Sequence, residues 1–486
     1  MTKNIVPAPP PEASERPEAG TLKSGAAGTP TIIAMVVAAA APITCSVSVI
    51  PLAFLLGNGI GTPGAILLVT VVLALFAAGF VRIVPFIKNA GAFYAYITAG
   101  FGRPVGLASA YVIGFAYVAL GASIIGGFGY FSDYLLERHL GLSVPWAVAG
   151  ILGVALSTVL AMAGITVAGR TLLVILGVEL AAITVLNVAI LVRNGLGSLS
   201  FEVFEPSNVL HGSVGIALIY AFVLFLGFEG TAIYVEEAKA PERSVPRATY
   251  WVIGLLGGFH ILSSWVMTAG AGIHKTIPRI AEAPPLFTFG LSDQYVGSGW
   301  TDTILVLNLL SLFAGIMAFH NAAARYLFSL SRDRALPGYL GRTHRRLGTP
   351  IGALATIGVV FAAVTIAYWA ADLDPVLEMG TSLIGVGTIG LVAALTIASV
   401  SIATFFYRRR QITTAHVAAP ALAAGLLGAC SVAGILNREA LTGVTTWWIN
   451  NLAWLYIPIF LAGLAYALWL RRNRPETYAE LGKTRA

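Results

Sequence analysis

Two carboxylates, Glu179 and Glu229, lie within apolar stretches that are long enough to cross a membrane. Placing an ionised side chain in hydrocarbon costs at least about 2.5–3.5 kcal/mol, so such residues usually face a polar cavity and carry function. Burial favours the uncharged form of a carboxyl group, and an acid that alternates between its two forms takes up and releases a proton. Both residues are therefore candidates for coupling proton movement to another event.

Each of these acids also has a purely structural interpretation. Glu179, in Val174-Ile-Leu-Gly-Val-Glu-Leu180, could stay protonated and bond to a neighbouring carbonyl. Glu229 lies in Phe225-Leu-Gly-Phe-Glu-Gly-Thr231, where two glycines interrupt an apolar helix. Its carboxylate could hydrogen-bond the amides freed there and brace the unwound backbone. The residue types leave both interpretations open.

The composition predicts the kind of protein that positions these acids. Of 486 residues, 57% are hydrophobic and 10% are charged, and the mean hydropathy is +0.84. Soluble domains carry about 25% charged residues. The apolar runs reach the roughly 20 residues that a spanning helix needs. We therefore predict an all-α polytopic membrane protein whose surroundings are the lipid bilayer.

The apolar runs divide the chain into twelve predicted transmembrane helices, here named segments 1 to 12. Their approximate ranges are 31–56, 63–84, 104–131, 145–165, 170–192, 212–235, 249–272, 301–328, 351–370, 380–406, 418–437 and 450–470. The polar residues 1–30 are predicted to be a disordered cytoplasmic tail, and residues 471–486 a second cytoplasmic tail. Residues 85–103 are predicted as a loop or short amphipathic piece, and residues 275–300 as a long loop with room for short helices.

The basic residues predict the orientation. When the segments alternate in direction, 24 of the 29 Lys and Arg residues fall on one side of the membrane. Cytoplasmic loops carry such an excess, so both termini are predicted to be cytoplasmic and the protein multi-pass in the plasma (inner) membrane. The net charge of +7 thus reflects topology, and we expect no nucleic-acid partner.

Two of the segments are predicted to be broken. Segment 1 contains Ala41-Pro-Ile-Thr-Cys-Ser-Val-Ser48, and its proline removes a backbone donor. Segment 6 contains Gly227 and Gly230 within apolar sequence. Breaks five segments apart indicate two five-helix repeats of opposite orientation, residues 31–192 and 212–406, followed by two further helices at 418–470.

Broken helices offer a binding chemistry of their own. The free amides of one half-helix carry partial positive charge and suit a carboxylate, and free carbonyls suit an ammonium group. An amino acid zwitterion presents both charges. We expect the amides to come from about Thr44 to Ser48 and the carbonyls from about Phe225 to Gly227. A proline kink and glycine packing, both common in membrane helices, are the alternative explanation.

Nothing in the sequence indicates an enzyme. It contains no GxSxG, P-loop or HExxH motif. The two cysteines, Cys45 and Cys430, both fall in apolar stretches and have no metal-ligand spacing. We therefore expect neither a cofactor nor a metal.

Three motifs resemble those of amino acid–polyamine–organocation (APC) superfamily permeases. The first is Phe225-Leu-Gly-Phe-Glu-Gly-Thr followed by Val235-Glu-Glu-Ala-Lys-Ala-Pro-Glu-Arg-Ser-Val-Pro-Arg-Ala248. The second is Asn89-Ala-Gly-Ala-Phe-Tyr-Ala-Tyr96, between segments 2 and 3. The third is Asn321-Ala-Ala-Ala-Arg-Tyr-Leu-Phe-Ser-Leu-Ser-Arg-Asp333, at the end of segment 8. The resemblance covers roughly residues 31–470.

The resemblance implies a LeuT-type 5+5 inverted repeat with broken helices 1 and 6, and a substrate held between those helices with helices 3, 8 and 10 around it. The predicted substrate-binding residues are Ile43, Thr44, Cys45, Ser46, Val47 and Ser48 in segment 1, Tyr111 and Tyr117 in segment 3, Val223, Phe225, Leu226, Gly227 and Phe228 in segment 6, and Asn308 in segment 8. The predicted proton or ion coupling residues are Glu179, Glu229 and Ser311.

The resemblance also bears on the coupling ion and on the substrate. In proton-coupled members, a lysine on helix 5 stands where sodium binds in sodium-dependent ones, and Glu179 falls in that area. The arginine–agmatine antiporter of the family has a glutamate at the position of Glu229. Its substrate-stacking aromatic, six residues earlier, corresponds to Val223, which disfavours arginine here.

The resulting prediction is a secondary active transporter that imports an amino acid or small organic amine by alternating access, coupled to protons. An obligate exchanger on the same fold is the first alternative. A non-transporting substrate receptor is the second, disfavoured because such receptors usually need an added soluble tail. The substrate, the coupling ion and the oligomeric state stay open.

Overall fold

The computed structural model describes residues 28–87, 92–164, 169–233, 238, 240–344, 347–442 and 446–481. Their regular elements are helices. Within these ranges, nine helices are long and apolar enough to cross a membrane, and Trp146–Met162 and Val214–Val223 are shorter apolar helices. The prediction of an all-helical, multi-pass membrane protein is thereby confirmed, and the count of twelve spans stays a prediction. The predicted N-terminal tail lies almost wholly outside the described residues.

Every predicted segment contains at least one helix. In chain order the main helices are Thr29–Ala39, a run of α- and π-turns over 42–58, Thr62–Ile83, Arg103–Leu140, Trp146–Met162, Gly169–Asn194, Val214–Val223, Gly230–Ile233, Pro241–Ala271, Ser298–Arg332, Ile351–Ala370, Thr381–Arg408, Ala419–Leu436 and Tyr456–Asn473. Shorter connecting helices include Ala92–Phe101, Thr276–Glu282, Phe287–Tyr295 and Pro475–Glu480.

Segments 1 and 6 are both interrupted, as predicted. The first helix of segment 1 ends at Ala39, and helical backbone resumes at Pro42 after Ala41, which adopts the left-handed conformation with φ +47°. In segment 6, residues 224–229 form successive turns between the two helices, and Gly227 has φ +101°. Only glycine adopts such a φ without steric strain, so this residue permits the turn.

The predicted position of the first break is wrong by a few residues. The stretch from Thr44 to Ser48, expected to provide the free amides of the break, lies in helical turns. The physical reason is the role of Pro42, which occupies the first turn of the second half-helix. Proline is well suited to that position because its missing N–H would have no partner there anyway. The proline therefore starts a helix, and the break lies before it.

Segment 3 packs directly against its neighbours through glycine. A Cβ atom on Gly126 would lie 2.1 Å from the carbonyl oxygen of Pro375, just before segment 10. A Cβ atom on Gly129 would lie 2.2 Å from the carbonyl oxygen of Trp146, at the start of segment 4. At both glycines the backbone of segment 3 directly contacts the backbone of its neighbour. Segment 3 therefore lies as close to segments 4 and 10 as two backbones can pack.

The arginine-rich ends of several segments meet at one end of the helices. Arg408, ending segment 10, donates from Nη1 to the Gly100 carbonyl at 2.9 Å. Arg103, opening segment 3, donates to the carbonyls of Ala479 and Leu481 at 3.0 and 3.2 Å, after the last short helix. These contacts join segments 3 and 10 to the short helices Ala92–Phe101 and Pro475–Glu480 at the basic end predicted from the sequence.

At the opposite end, the region between segments 7 and 8 covers the second half of segment 1. Its helix Phe287–Tyr295 places the Thr288 hydroxyl 3.1 Å from the Ser46 carbonyl oxygen, to which it donates. Nearby, Arg138 and Asp302 form an ion pair at 2.8 Å that links segments 3 and 8. The helices predicted within residues 275–300 thus pack into the transmembrane core.

Candidate substrate and coupling site

The break in segment 1 leaves two amide donors at the start of its second half. Helices leave their first N–H groups without an intrahelical partner. Pro42 has no N–H, and the Cys45 amide already donates to the Ala41 carbonyl at 3.0 Å. The amides of Ile43 and Thr44 are therefore the ones directed at the break, two donors of the kind that a carboxylate group requires.

Segment 8 contacts this half-helix through Asn308. The Thr44 hydroxyl donates to Asn308 Oδ1 at 3.0 Å. Asn308 is fully buried, and its Nδ2 atom has no hydrogen-bond partner among the described residues. An unpaired buried amide group is costly, so this nitrogen is a donor available to a substrate or a water molecule.

Glu179 lies beside the same break. Its side chain is 4% exposed, and its carboxyl group interacts with the Ile43 amide and the Ser311 hydroxyl. Neither Glu179 Oε2 nor Ser311 Oγ has a hydrogen-bond partner of good geometry in the described part of the chain. The Cys45 thiol, which donates to the Ala40 carbonyl at 3.1 Å, also lies within electrostatic range. The acid thus joins segments 1, 5 and 8.

Glu229 caps the break in segment 6. Its Oε2 accepts the Gly227 N–H at 2.9 Å, and its Oε1 accepts the Tyr117 hydroxyl of segment 3 at 3.2 Å. The side chain is only 3% exposed. Tyr326 of segment 8 lies within electrostatic range of this carboxyl group. The ring centroids of Tyr326 and Tyr117 are 5.5 Å apart. The buried hydroxyl of Tyr326 has no hydrogen-bond partner among the described residues.

Segment 6 provides carbonyl acceptors beside this cap. Within the turns, the Phe225 amide donates to Phe222, and the Leu226 amide to Val223. The carbonyls of Leu224 and Leu226 receive none of the backbone bonds of these turns. The Val223, Phe225 and Leu226 side chains are buried and apolar. This half of the site thus combines carbonyl oxygens with an apolar wall.

Two predicted aromatic residues point elsewhere. Phe228 packs edge-on against Phe76 of segment 2, with 6.0 Å between ring centroids. The Tyr111 hydroxyl donates to the Ala335 carbonyl at 2.7 Å, towards the basic end. Tyr111 lies six residues before Tyr117, so it is about 9 Å further along the helix. Only Tyr117 of these three aromatics contacts an acid of the candidate site.

The remaining predicted residues of segment 1 lie inside the half-helix. The Ser46 hydroxyl donates to the Pro42 carbonyl at 2.9 Å within its own helix. Cys45 and Val47 are buried, and the buried Ser48 hydroxyl lacks a described partner. Of these side chains, Ser48 is the one with an unused polar atom.

Two cavities of the described residues lie away from the breaks. One, of about 540 Å³, opens between segments 10 and 11 beside Val400 and Tyr407. The other, of about 380 Å³, lies at the end opposite the arginines, beside Asn194 and Tyr295. Residues of the two breaks line neither of these cavities.

Sequence reasoning missed Tyr326 and Asn187. Tyr326 lies inside the segment 8 motif, but one tyrosine among many aromatics gives no separate signal. Asn187 is 4% exposed in segment 5, and its Nδ2 donates to Ser263 Oγ of segment 7 at 3.0 Å. An amide side chain in the middle of an apolar segment is a signal that could have been used.

These features define the class of the protein. Two interrupted helices with free backbone groups, each beside a buried acid, form the type of site found in secondary transporters of the membrane. The family model described as "Amino acid permease" matches residues 28–479, nearly the whole described chain. The chain belongs to this family, within the APC superfamily that the sequence motifs resemble, and the predicted family is thus confirmed.

Curated relatives agree with this assignment. An uncharacterized amino acid permease, YecA, of Bacillus subtilis is 25% identical over 299 residues, which cover 60% of this chain and 66% of YecA, just under two thirds of its length. The branched-chain amino acid permease BcaP of Lactococcus lactis is 26% identical over 64% of this chain and 70% of its own. A methylthioribose transporter of Bacillus subtilis is 24% identical over 80% of this chain and 81% of its own.

Solved structures agree on the fold. A crystal structure of the Eremococcus coleocola manganese transporter, in complex with an aromatic bis-isothiourea substituted compound, is similar with a TM-score of 0.54 at 13% identity, covering 92% of this chain and 95% of the other. At that identity the similarity concerns the architecture alone, a LeuT-type transporter fold.

Proposed function

We propose that this protein imports a neutral amino acid across the plasma membrane by alternating access, driven by protons. The observation that carries the proposal is that, among the described residues, the Ile43 and Thr44 amides of segment 1 and the Leu224 and Leu226 carbonyls of segment 6 have no backbone partner. Amides bind a carboxylate and carbonyls bind an ammonium group. The proposed site thus holds both charges of a zwitterion without an ionised side chain.

The walls of the site support an aliphatic side chain on the substrate. Ile43, Val223, Phe225 and Leu226 are buried and apolar, and no aromatic stands at position 223 to stack on a guanidinium group. The described polar donors without a partner near the two breaks are few, namely the Asn308 amide nitrogen and the hydroxyls of Ser48, Ser311 and Tyr326. A branched-chain amino acid fits these walls, and the name of the Lactococcus relative gives the same substrate class.

The coupling part of the proposal rests on Glu179. This acid touches the first turn of the half-helix that would bind the substrate carboxylate, and it also reaches segment 8 through Ser311. An ionised Glu179 would repel a substrate carboxylate at the Ile43 amide, whereas a protonated one would leave that amide free for it. Proton uptake from outside would therefore favour substrate binding, and proton release to the cytoplasm would favour substrate release.

The proposed orientation follows from the basic end of the helices. Arg103, Arg408 and the short helix Pro475–Glu480 lie together there. Under the positive-inside rule this end faces the cytoplasm, with both termini. The cavity beside Asn194 and the Arg138–Asp302 ion pair would then face the outside.

Uptake into proteoliposomes tests the proposal. Vesicles containing the full chain are given radiolabelled leucine, isoleucine or valine, with the outside either more acidic than the inside or at the same pH. We expect accumulation only with the acidic outside, and its loss when a protonophore is added. Arginine should not compete. Equal uptake with and without the pH gradient would contradict proton coupling.

Counterflow separates import from exchange. Vesicles preloaded with unlabelled substrate are tested without a pH gradient. An obligate exchanger takes up label only into preloaded vesicles, whereas a proton-coupled importer also fills empty vesicles under a gradient. Glu179→Gln should keep counterflow and lose the response to the gradient. Glu137→Gln, which changes an exposed acid at the end of segment 3, is the matched control and should behave as the wild type. A protein that binds substrate but does neither would be a receptor.

A further inference from the structure

Segments 5 and 7 enclose polar side chains that the proposed substrate site does not use. Asn187 donates from Nδ2 to Ser263 Oγ at 3.0 Å, and its Oδ1 atom has no described partner. His260 lies one helical turn before Ser263 and is fully buried. Neither ring nitrogen of His260 has a hydrogen-bond partner among the described residues. Three unpaired polar atoms therefore lie in the interior near this helix contact.

Unpaired polar atoms of this kind are rare in proteins. Leaving a buried donor or acceptor without a partner costs its full desolvation energy, and native structures usually satisfy such groups with other residues or ordered water. A neutral imidazole needs one donor and one acceptor, and a single water molecule or a pair of them supplies both. Internal water at polar sites is a regular component of folded proteins. The interior beside His260 and Asn187 therefore has the chemistry of a hydrated site.

Two hydrogen bonds fix the alignment of the helices. Asn187 bonds to Ser263, and Asn194 Nδ2 donates to the Ala269 carbonyl at 2.9 Å. A spacing of seven positions in segment 5 thus matches a spacing of six positions in segment 7, and the two helices run in the same direction. At this register, His260 lies at the level of residue 184. Along the helix axis, His260 therefore lies between the levels of Asn187 and Glu179, which are about 12 Å apart.

The line of polar groups continues to the cavity of about 380 Å³ at the proposed extracellular end. Asn194 and Tyr295 form its wall, and Asn194 Nδ2 bonds to the Tyr295 hydroxyl at 2.9 Å. From Asn194 to Asn187 the rise is about 10 Å. The steps from the cavity to Asn187, then to His260, and then to Glu179 are each short enough for a few water molecules to bridge.

Of the charged side chains that the structure describes along this line, Lys275 lines the cavity at its outer end and Glu179 lies at its inner end. Glu179, at the inner end, is faced by the Cys45 thiol and Ile43 amide of segment 1 and by the Ser311 hydroxyl of segment 8. Compared with the neutral thiol, amide and hydroxyl that face it, the Glu179 carboxylate is the strongest proton acceptor at this end of the line.

We infer that a file of water molecules between segments 5 and 7, held by Asn187 and His260, carries protons from the cavity beside Asn194 to Glu179. In each transfer an O–H bond of water or an N–H bond of His260 breaks as a new O–H or N–H bond forms, and the last proton neutralises the Glu179 carboxylate. The substrate uses a different path, between segments 1 and 6. This inference rests on the proposed proton-coupled function and assigns separate routes to the proton and the substrate.

The test compares two transport modes in the full protein. His260→Phe removes both nitrogens at similar size, and Asn187→Leu removes the amide. In either variant we expect counterflow at equal pH to stay at the wild-type rate. Uptake driven by an acidic outside should fall about a hundredfold, the lower end of what positioned proton-transfer groups contribute. His260→Gln, which keeps a donor and an acceptor, should restore part of the rate. Ser264→Ala is the control, because that hydroxyl donates to the Ile261 carbonyl of its own turn.

A second measurement does not depend on transport. X-ray footprinting in ¹⁸O-labelled water marks side chains that touch bound water, and we expect label on Phe259 and His260 in the wild type. The Asn187→Leu variant should lose it. Wild-type gradient-driven uptake in both variants, or absence of label near His260, would overturn the water file. Absence of gradient-driven uptake in the wild type would instead overturn the proposed function, with the footprint still deciding whether water is present.

Discussion

The bracing of the segment 6 break by Glu229 leads to a prediction that separates structure from proton chemistry. The carboxylate accepts from the Gly227 N–H at 2.9 Å and from the Tyr117 hydroxyl at 3.2 Å. Glu229→Leu leaves both donors buried without a partner. Glu229→Gln still offers a carbonyl oxygen to Gly227, and its NH₂ group donates to the Tyr117 oxygen, which also accepts hydrogen bonds.

The magnitudes follow from these contacts. The Gly227 amide lies in unwound backbone and has no partner in its own turn, so losing Glu229 costs about 1–3 kcal/mol for that donor. The Tyr117 bond joins two helices, and such bonds average about 0.6 kcal/mol in membrane proteins. Glu229→Leu should therefore cost about 2–4 kcal/mol, and Glu229→Gln under about 1 kcal/mol.

Thermal unfolding of the purified variants in one detergent checks these values. We expect the midpoint of Glu229→Leu to fall by several degrees and that of Glu229→Gln to stay near the wild type. Tyr117→Phe should lie between them. If Glu229→Leu unfolds at the wild-type temperature, the bracing role is refuted. If Glu229→Gln is as stable as the wild type but loses the pH response of uptake, Glu229 exchanges a proton in addition.

Two further predictions concern contacts of segments 1 and 3. Thr44→Val removes the one hydrogen bond that the described residues give the Asn308 side chain, which should weaken substrate binding about threefold, as expected for about 0.6 kcal/mol. Thr44→Ser should bind as the wild type, and equal dissociation constants for all three proteins would contradict the assigned contact. Gly126→Ala forces a methyl group against the Pro375 carbonyl oxygen, which cannot rotate away, and should cost at least about 1–3 kcal/mol in thermal unfolding. Gly127→Ala, whose Cβ would meet a neighbouring side chain at an ordinary 3.6 Å, is the control, and equal unfolding temperatures would rule out the tight contact.

The sequence predicted the features that depend on local composition. The apolar runs located the helices because burying a spanning segment requires about 20 apolar residues whatever its neighbours are. Glycines at positions 227 and 230 indicated the second break correctly because glycine permits backbone that other residues resist. The family resemblance grouped Glu179 and Ser311 as coupling residues, which stays a prediction, and their proximity to each other came from the structure.

Other features depend on contacts between distant helices, and the sequence could not supply them. Proline both ends and begins helices, so the local pattern could not show that the break lies before Pro42. Tyr111 and Tyr117 look equivalent in the sequence, and only the packing of segment 3 places one beside Glu229 and the other beside Ala335. Phe228 likewise packs against Phe76, which stacks on Phe80 in an aromatic cluster on segment 2.

The glycine contacts of segment 3 have a consequence for how the molecule moves. Where Gly126 and Gly129 press against the carbonyls of Pro375 and Trp146, no layer of side chains remains that could repack during a sliding motion. In the proposed alternating-access cycle, segments 3, 4 and 10 would therefore move as one rigid frame. The rocking that opens each face in turn would fall to segments 1 and 6, with hinges at the two interruptions of their helices.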